Sequence, residues 1–219
     1  MRLLIRVSNP HLYDIDVNGR RFLVSFHVFG KMRPKELPGP SITDYTLNIY
    51  EKHAIHAIFL NNDMMLDENI FLYGIYHALE DHCKHNIDAS PVFAINIIMH
   101  VYCTRQVNIL KEKVIPRSFN ESSDEELPVV MILIGEDVAK ENHDEIINEI
   151  NENFFLEPLD AQIDHGLDAG GRISAIIDSI PALSTQTMKA PSYSHDIEWV
   201  TKVLQAKMAL FSLNLQLKS

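Results

Sequence analysis

Apolar and polar residues alternate most regularly near the start of the chain. Between Arg20 and Phe29 every second residue is apolar, in the series Phe22, Val24, Phe26 and Val28. A period of two is typical of a strand that buries one face. Asn18-Gly19 comes directly before this segment, and both residues tolerate the positive φ of a tight turn. The pattern therefore predicts a β-hairpin with arms at 12–17 and 20–29.

Four further segments have the composition of strands. Residues 3–7 are a short apolar stretch, and residues 43–53 alternate between apolar or aromatic and polar side chains. Residues 91–107 and 129–134 are apolar on both faces, which is typical of strands in the centre of a sheet. Residues 31–40 contain three prolines and are predicted to form a loop.

Apolar residues at helical spacing predict three helices. The clearest spans Leu66–Asn86, where Asp67 is suited to cap the N-terminus. A polar helix is predicted over Asn142–Asn153, with isoleucines on one side. The third, over His195–Phe211, is amphipathic, and its apolar stripe fits either packing against its own domain or binding a partner. That stripe consists of Ile197, Val200, Leu204, Met208 and Phe211.

Together these elements predict an α+β fold. A mixed or antiparallel sheet that contains the N-terminal hairpin packs against one main helix. We assign this domain to residues 1–157. Residues 158–219 contain several glycines, Pro181 and a Ser/Thr-rich stretch, which indicate a flexible tail that carries the terminal amphipathic helix.

The chain is acidic, and its charged residues are unevenly distributed. The formal net charge is -11, and residues 112–168 hold sixteen of the 30 acidic residues but only three basic ones. That segment sums to -13, so the remainder sums to +2. A basic N-terminal part could attract the acidic middle or an acidic partner, and the alternative is two surfaces without contact. The acidic balance argues against nucleic-acid binding.

Cysteine content and hydropathy predict an intracellular protein. Cys83 and Cys103 are the only cysteines, too few for a disulfide framework. The first apolar stretch is too short for a signal peptide, and Pro91–Cys103 falls short of the ~20 residues that cross a bilayer. We therefore expect a cytoplasmic or nuclear protein that does not insert into membranes.

Histidines cluster at the end of the main predicted helix. His82 and His85 lie three residues apart and therefore share one helix face. A zinc site would need three or four ligands to converge there. The structural alternative is that both histidines interact with the negative end of the helix dipole. The full set of candidate ligands is His77, His82, Cys83, His85, His100 and Cys103, the last two on opposite faces of the next predicted strand.

The turn Gly135-Glu136-Asp137 directly follows a predicted buried strand. Carboxylates at such a position bind Mg²⁺ or act as bases in many α/β enzymes, so Asp137 is a further candidate metal ligand. No phosphate-binding glycine loop or nucleophile elbow accompanies it, and a simple strand-ending turn is the alternative. The residues predict no catalytic group and no cofactor, but leave open a small enzyme or ligand-binding protein with a carboxylate site around Gly135–Asp137 and His100.

The segment Ser174–Met188, SAIIDSIPALSTQTM, resembles the linker that precedes the zinc-binding RING module in plant RING-H2-type E3 ubiquitin-protein ligases. Ile177, Ile180 and Pro181 stand at the apolar and proline positions of that linker. The residues that follow contain no cysteine, so none of the eight zinc ligands of a RING has a counterpart here.

The resemblance implies the region upstream of a RING, with the RING itself absent. In intact family members the RING binds a ubiquitin-charged conjugating enzyme, and upstream regions select substrates. A RING-less relative would be a protein-binding module that recruits a substrate or partner for ubiquitination and has no ligase activity alone. If residues 173–219 are a linker with few core positions, their deletion should leave the fold intact.

Overall fold

The computed structural model describes residues 5–9, 12–29, 31–36, 41–65, 67–85, 90–116, 129–136, 140–157, 176, 180 and 197–216. The strands in this part of the chain are Ile5–Asn9 (β1), Leu12–Val17 (β2), Arg20–Phe29 (β3), Lys31–Pro34 (β4), His56–Asn61 (β5), Val129–Glu136 (β6) and Phe154–Glu157 (β7). The helices are Ile42–His53 (α1), Glu68–His85 (α2), Ser90–Val101 (α3), Val107–Lys113 (α4), Lys140–Asn153 (α5) and Ile197–Gln216 (α6). A 3-10 turn covers Asn62–Met64.

Five strands form one antiparallel sheet in the order β1-β2-β3-β6-β5. The first three are a meander, and β6 inserts between β3 and β5 although it lies far from both in sequence. The register of β3 with β6 extends from Phe22 opposite Glu136 to Phe29 opposite Val129. β4 and β7 form a separate two-stranded antiparallel sheet. The predicted α+β class is therefore confirmed, with an antiparallel main sheet.

Helices cover both faces of the main sheet. Because successive side chains of a strand point to opposite faces, β6 contributes Val130, Ile132 and Ile134 to one core and Met131 and Leu133 to the other. The larger core, which we call the main core, lies beneath α2, α3 and α6. The second core lies beneath α1 and α5 and includes Phe154 of β7. The predicted main helix, α2, is thus one of several that cover the sheet.

The segment predicted as a strand at 43–53 is helix α1, so that prediction is wrong. Its buried residues are spaced by three and four, and they are Ile42, Tyr45, Thr46, Ile49 and His53. The side chain of Ser41 accepts a hydrogen bond from the backbone N–H of Asp44 and caps the start. Ala54 ends the helix in the left-handed conformation, with φ at 55°. The buried face at helical spacing and the two capped ends are both consistent with a helix, whereas the local alternation of side chains was misleading.

The predicted central strand at 91–107 is also wrong, because residues 90–101 form helix α3. An apolar run without clear periodicity does not distinguish a buried strand from a buried helix. Gly74 of α2 lets α3 approach closely, since a Cβ at that position would lie 2.5 Å from Cγ2 of Val101. The helix is followed by a turn in which Cys103 has a φ of 50°.

Most of the other local predictions agree with the structure. Asn18 and Gly19 both have positive φ, as the predicted hairpin turn requires. Helix α2 occupies most of the predicted span, and Oδ1 of Asp67 accepts a hydrogen bond from the N–H of Asn69. The predicted buried strand and polar helix correspond to β6 and α5. The predicted loop at 31–40 begins instead with β4, which pairs with the unpredicted strand β7.

The C-terminal part contributes to the main core. Leu204 and Met208 of α6 are fully buried there, so this helix packs against its own domain, chiefly on α2. Ile176 and Ile180 are buried in the same core, and the N–H of Ile180 donates to the carbonyl of Ile176. The expectation that residues 173–219 hold few core positions is therefore wrong. The domain boundary after residue 157 stays a prediction, because most of 158–196 lies outside the described residues.

No helix in the described part of the chain is long and apolar enough to cross a membrane.

The two sides of α6 should differ sharply in their contribution to stability. Leu204→Ala should lower the free energy of unfolding by about 2–5 kcal/mol, because a fully buried leucine leaves a cavity. Leu210→Ala, on the exposed side, should change it by no more than about 0.5 kcal/mol. Urea denaturation followed by circular dichroism measures both.

Deleting residues 173–219 should abolish the cooperative unfolding transition, because it removes four buried side chains of the main core. A deletion variant with unchanged stability would contradict the assignment of α6 to the main core.

Candidate functional site

His82 lies in a buried cluster of aromatic rings. Its ring centroid is 4.7 Å from that of Phe93 and 6.2 Å from that of His56. His56 in turn stacks on Tyr50 at 4.6 Å. Burial, together with the neighbouring His82, lowers the pKa of His56 to about 3, so this imidazole is neutral at physiological pH. The cluster packs α1, β5, α2 and α3 together.

The predicted histidine metal site does not assemble from the described side chains. His77 packs against Tyr73 and Tyr76, and burial lowers its pKa. Among the residues that the structure describes, no three His, Cys, Asp or Glu side chains converge in a way that could hold a metal ion. The side chain of His85 and the whole of Asp137 lie outside the described residues, so their role as metal ligands stays a prediction.

Arg20 contacts both Glu136, in the predicted carboxylate turn, and Cys83, one of the candidate metal ligands. Its guanidinium forms an ion pair with Glu136 at the end of β6 and points Nη1 at Sγ of Cys83, 3.8 Å away. Burial raises the pKa of the Cys83 thiol, although Arg20 opposes the shift. A protonated thiol is a weak nucleophile, and a carboxylate paired with a guanidinium is a poor metal ligand. The cluster is therefore a surface link between β3, β6 and α2.

His100 is fully buried, on the face of α3 that contacts α2 and α6. Its Nδ1 lies 2.8 Å from the carbonyl oxygen of Asn96, and its Nε2 lies 3.0 Å from Oδ2 of Asp81. Because a carbonyl only accepts, Nδ1 carries a hydrogen, and Nε2 shares the second proton with the Asp81 carboxyl. The ring of Phe211 covers the pair edge-on at 5.4 Å. The pair ties α2 to α3 beneath α6.

Cys103 follows His100 on a turn, so the predicted arrangement of these two residues on opposite faces of a strand is wrong. The thiol donates to the backbone carbonyl of His100 at 3.6 Å. Burial raises the pKa of Cys103 to about 12, so the sulfur remains a thiol at neutral pH. His100 and Glu136 bind different partners and form no joint carboxylate–imidazole site in the described residues.

A buried polar cluster on the opposite face of the sheet was not predicted. Oγ of Ser25 lies 2.9 Å from Nδ1 of His143 and 3.0 Å from Nε2 of His27. Ser25 and His143 are only 4% and 5% exposed. Since a hydroxyl carries one hydrogen, it donates to one imidazole and accepts from the other. The cluster joins β3 to α5.

This cluster has the residue types of a serine–histidine nucleophile pair, but its geometry favours a structural role. A nucleophile must meet its substrate, and Ser25 is buried. No described carboxylate orients the imidazole of His143, whose Nε2 has no hydrogen-bond partner among the described residues. The sequence did contain one indication that these side chains face the interior. His143 shares a helical stripe with Ile146 and Ile150, and Ser25 shares a strand face with His27.

Among the described residues, the most exposed large apolar side chains lie on β7 and α6. Phe155 of β7 is exposed next to Lys35, whose Nζ lies 5.7 Å from the ring centroid. On α6, Leu210 and Leu213 are 60% and 51% exposed, and Ala206 is exposed one turn earlier. We call Val203, Ala206, Leu210 and Leu213 the outer stripe of α6. It lies opposite the buried side chains Leu204, Met208 and Ser212.

Comparisons with known proteins assign this chain to no family. No model of a protein family matches the sequence, and no curated protein matches it significantly. The function is therefore argued from the residues and their geometry.

His143 should make the protein less stable in acid. Burial, reinforced by His27, lowers its pKa from 6.5 to about 4, so the unfolded chain binds the proton first. The stabilisation is complete above pH 6.5 and is lost as the pH falls towards 4, with a loss of about 3 kcal/mol for this group. Urea denaturation between pH 7 and 4 measures it, as a free energy of unfolding that falls with pH.

The comparison variant is His143→Asn, whose side chain reaches Ser25 but does not titrate in this range. Its stability should depend less on pH than that of the natural protein. Carboxylates titrate equally in both proteins, so the difference isolates His143. Identical pH profiles would show that this imidazole is not the group responsible.

Proposed function

We propose that this protein is a protein-binding module that recruits a substrate or partner for ubiquitination and has no ligase activity of its own. The observation that carries the binding function is the outer stripe of α6, where Leu210 and Leu213 are exposed side by side. Neighbouring exposed leucines on a helix are characteristic of interaction sites, because burying apolar surface yields about 25 cal/mol per Å².

The position of α6 supports this function. The helix is anchored by Leu204 and Met208 in the main core, so the opposite stripe is presented on a fixed element. Leu47 of α1, in contrast, is an isolated exposed leucine at 36% exposure. Single exposed leucines are common on protein surfaces, whereas an apolar stripe along one helix is not.

The link to ubiquitination rests on the resemblance of Ser174–Met188 to a pre-RING linker. Ile176 and Ile180 of this segment are buried in the main core. We propose that this segment is part of the recruiting domain. Because the sequence lacks the zinc ligands of a RING, we do not expect this chain alone to catalyse ubiquitination.

The alternative of a small enzyme with a carboxylate site near Gly135–Asp137 has weaker support. Arg20 neutralises Glu136, and the thiol of Cys83 beside it has a raised pKa. A site for Mg²⁺ needs carboxylates that are free to bind the cation.

Affinity capture with the full chain tests the binding function. The double variant Leu210→Gln/Leu213→Gln keeps good helix formers but removes the apolar stripe. We expect it to lose a discrete set of captured proteins that the natural chain and the control variant Leu47→Gln both retain, as measured by quantitative mass spectrometry. Components of ubiquitin conjugation should be enriched in that set. Identical sets for all three proteins would contradict binding through α6.

A ubiquitination assay tests the catalytic part of the proposal. The purified chain, incubated with ubiquitin, activating enzyme, a panel of conjugating enzymes and ATP, should form no ubiquitin chains, because it lacks the Cys/His ligands that build a RING. An intact RING ligase serves as the positive control. Zinc-dependent chain formation by this protein would overturn the proposal.

A further inference from the structure

Asn18 and Gly19 form the two-residue turn between β2 and β3, and both are exposed. Their φ values are 55° and 82°. In any chain, the backbone nitrogen of the residue after an asparagine lies within reach of the asparagine side chain. Glycine has no side chain to obstruct that approach and leaves the backbone free to rotate. The turn that defines the hairpin is therefore also a place where the chain can react with itself.

The reaction is deamidation through a cyclic imide. The backbone nitrogen of Gly19 loses its proton and forms a bond to Cγ of Asn18, and the side-chain nitrogen leaves as ammonia. Water then adds to one of the two carbonyls of the ring and reopens it. One opening gives aspartate, and the other gives isoaspartate, in which the main chain continues through the former side chain. Overall one water is consumed and one ammonia is released.

The surroundings of the turn leave room for this reaction. A Cβ placed on Gly19 would have no atom within 4 Å apart from those of its chain neighbours, so nothing crowds the attacking nitrogen. No residue that the structure describes forms a hydrogen bond with the carboxamide of Asn18. Because the turn is exposed, water reaches the ring and ammonia leaves freely.

Asn18 is the only asparagine in the sequence that is followed by glycine. Asn48 is also exposed, but it is followed by Ile49, and both residues belong to helix α1. A β-branched side chain shields the attacking nitrogen, and a helix holds the N–H in a hydrogen bond. Asn48 is therefore an internal control in the same molecule.

A hydrogen bond of the attacking nitrogen opposes the reaction while the turn is closed. The N–H of Gly19 donates to Oδ1 of Asp16 at 3.1 Å. The nitrogen must leave this carboxylate before it can turn towards Asn18, and a nearby negative charge disfavours its deprotonation. Hairpin tips open locally without unfolding of the whole domain. The reaction therefore proceeds from the open turn, and its rate follows the open population.

We infer that Asn18 is a site of spontaneous deamidation, and that Asp16 slows the reaction by keeping the turn closed. This inference is independent of the proposed binding function. Isoaspartate adds a methylene to the main chain, which a two-residue turn cannot absorb while Val17 stays opposite Arg20. Because β3 also pairs with β6, the modified turn disturbs the centre of the main sheet. Aspartate keeps the length of the main chain and preserves the register.

Prolonged incubation of the full chain at neutral pH tests the site. Peptide mapping by mass spectrometry should show the small mass gain of an amide converted to an acid at Asn18, and no such gain at Asn48. In water enriched in heavy oxygen, the product should contain the label. The chain denatured in guanidinium chloride should react faster, because its turns are open. If Asn18 stays unmodified in the folded protein after the denatured chain has reacted, the inference is overturned.

Variants of Asp16 test the control of the rate. Asp16→Ala should deamidate about three- to tenfold faster than the natural chain, the change in open population expected for the loss of one exposed hydrogen bond. Asp16→Asn keeps an acceptor without the charge, and its rate should lie in between. Asn48 should remain unmodified in both variants, which shows that the domain has not unfolded. Slower deamidation of Asp16→Ala would identify the carboxylate as a base and overturn its inhibitory role.

The structural consequence is measured on the separated products. The isoaspartate form, isolated by chromatography, should melt several degrees below the aspartate form, because only the former changes the length of the turn. Asn18→Gly keeps a residue that tolerates the turn but has no carboxamide, so its mass and melting temperature should stay constant during incubation. Equal melting temperatures of the two products would overturn the predicted effect on the main sheet.

Discussion

The pairing of β3 with β6 is the interaction on which the rest of the molecule depends. It joins two segments more than a hundred residues apart, in a register that extends from Phe22 opposite Glu136 to Phe29 opposite Val129. Without it the N-terminal meander would be separated from β6 and β5, and the main sheet would fall into two parts. The same register brings Ser25 beside His143 and Arg20 beside Glu136, so both polar clusters follow from one strand pairing.

Two buried polar pairs then fix the helices on either side of the sheet. Asp81 and His100 position α3 on α2, and Ser25 with His143 positions α5 on β3. A buried polar group that loses its partner is strongly disfavoured, so alternative packings of these helices are penalised. Such pairs add less to stability than apolar contacts of the same size, but they define one arrangement.

The sequence predicted elements whose signal is local. The turn at Asn18-Gly19 and helix α2 both depend on residues within a few positions of one another. Helix α3 was mistaken for a strand because an apolar segment that is buried on most sides lacks a distinctive period. Helix α1 was mistaken for one because its apolar and polar residues alternate locally, although its buried side chains lie three and four residues apart. The polar clusters were missed for a related reason: Ser25 and His143 are 118 residues apart, and nothing local marks them as neighbours.

Helix α6 is part of the main core and at the same time carries the proposed binding stripe, so binding and folding are thermodynamically linked. A partner on the outer stripe would bind only chains in which Leu204 and Met208 are already in place. It would therefore draw the equilibrium towards the folded chain as its concentration rises. The relation is reciprocal: a substitution deep in the core would lower the apparent affinity for the partner whenever it leaves part of the population unfolded. Little ordering entropy is lost on association, because the helix is formed in advance.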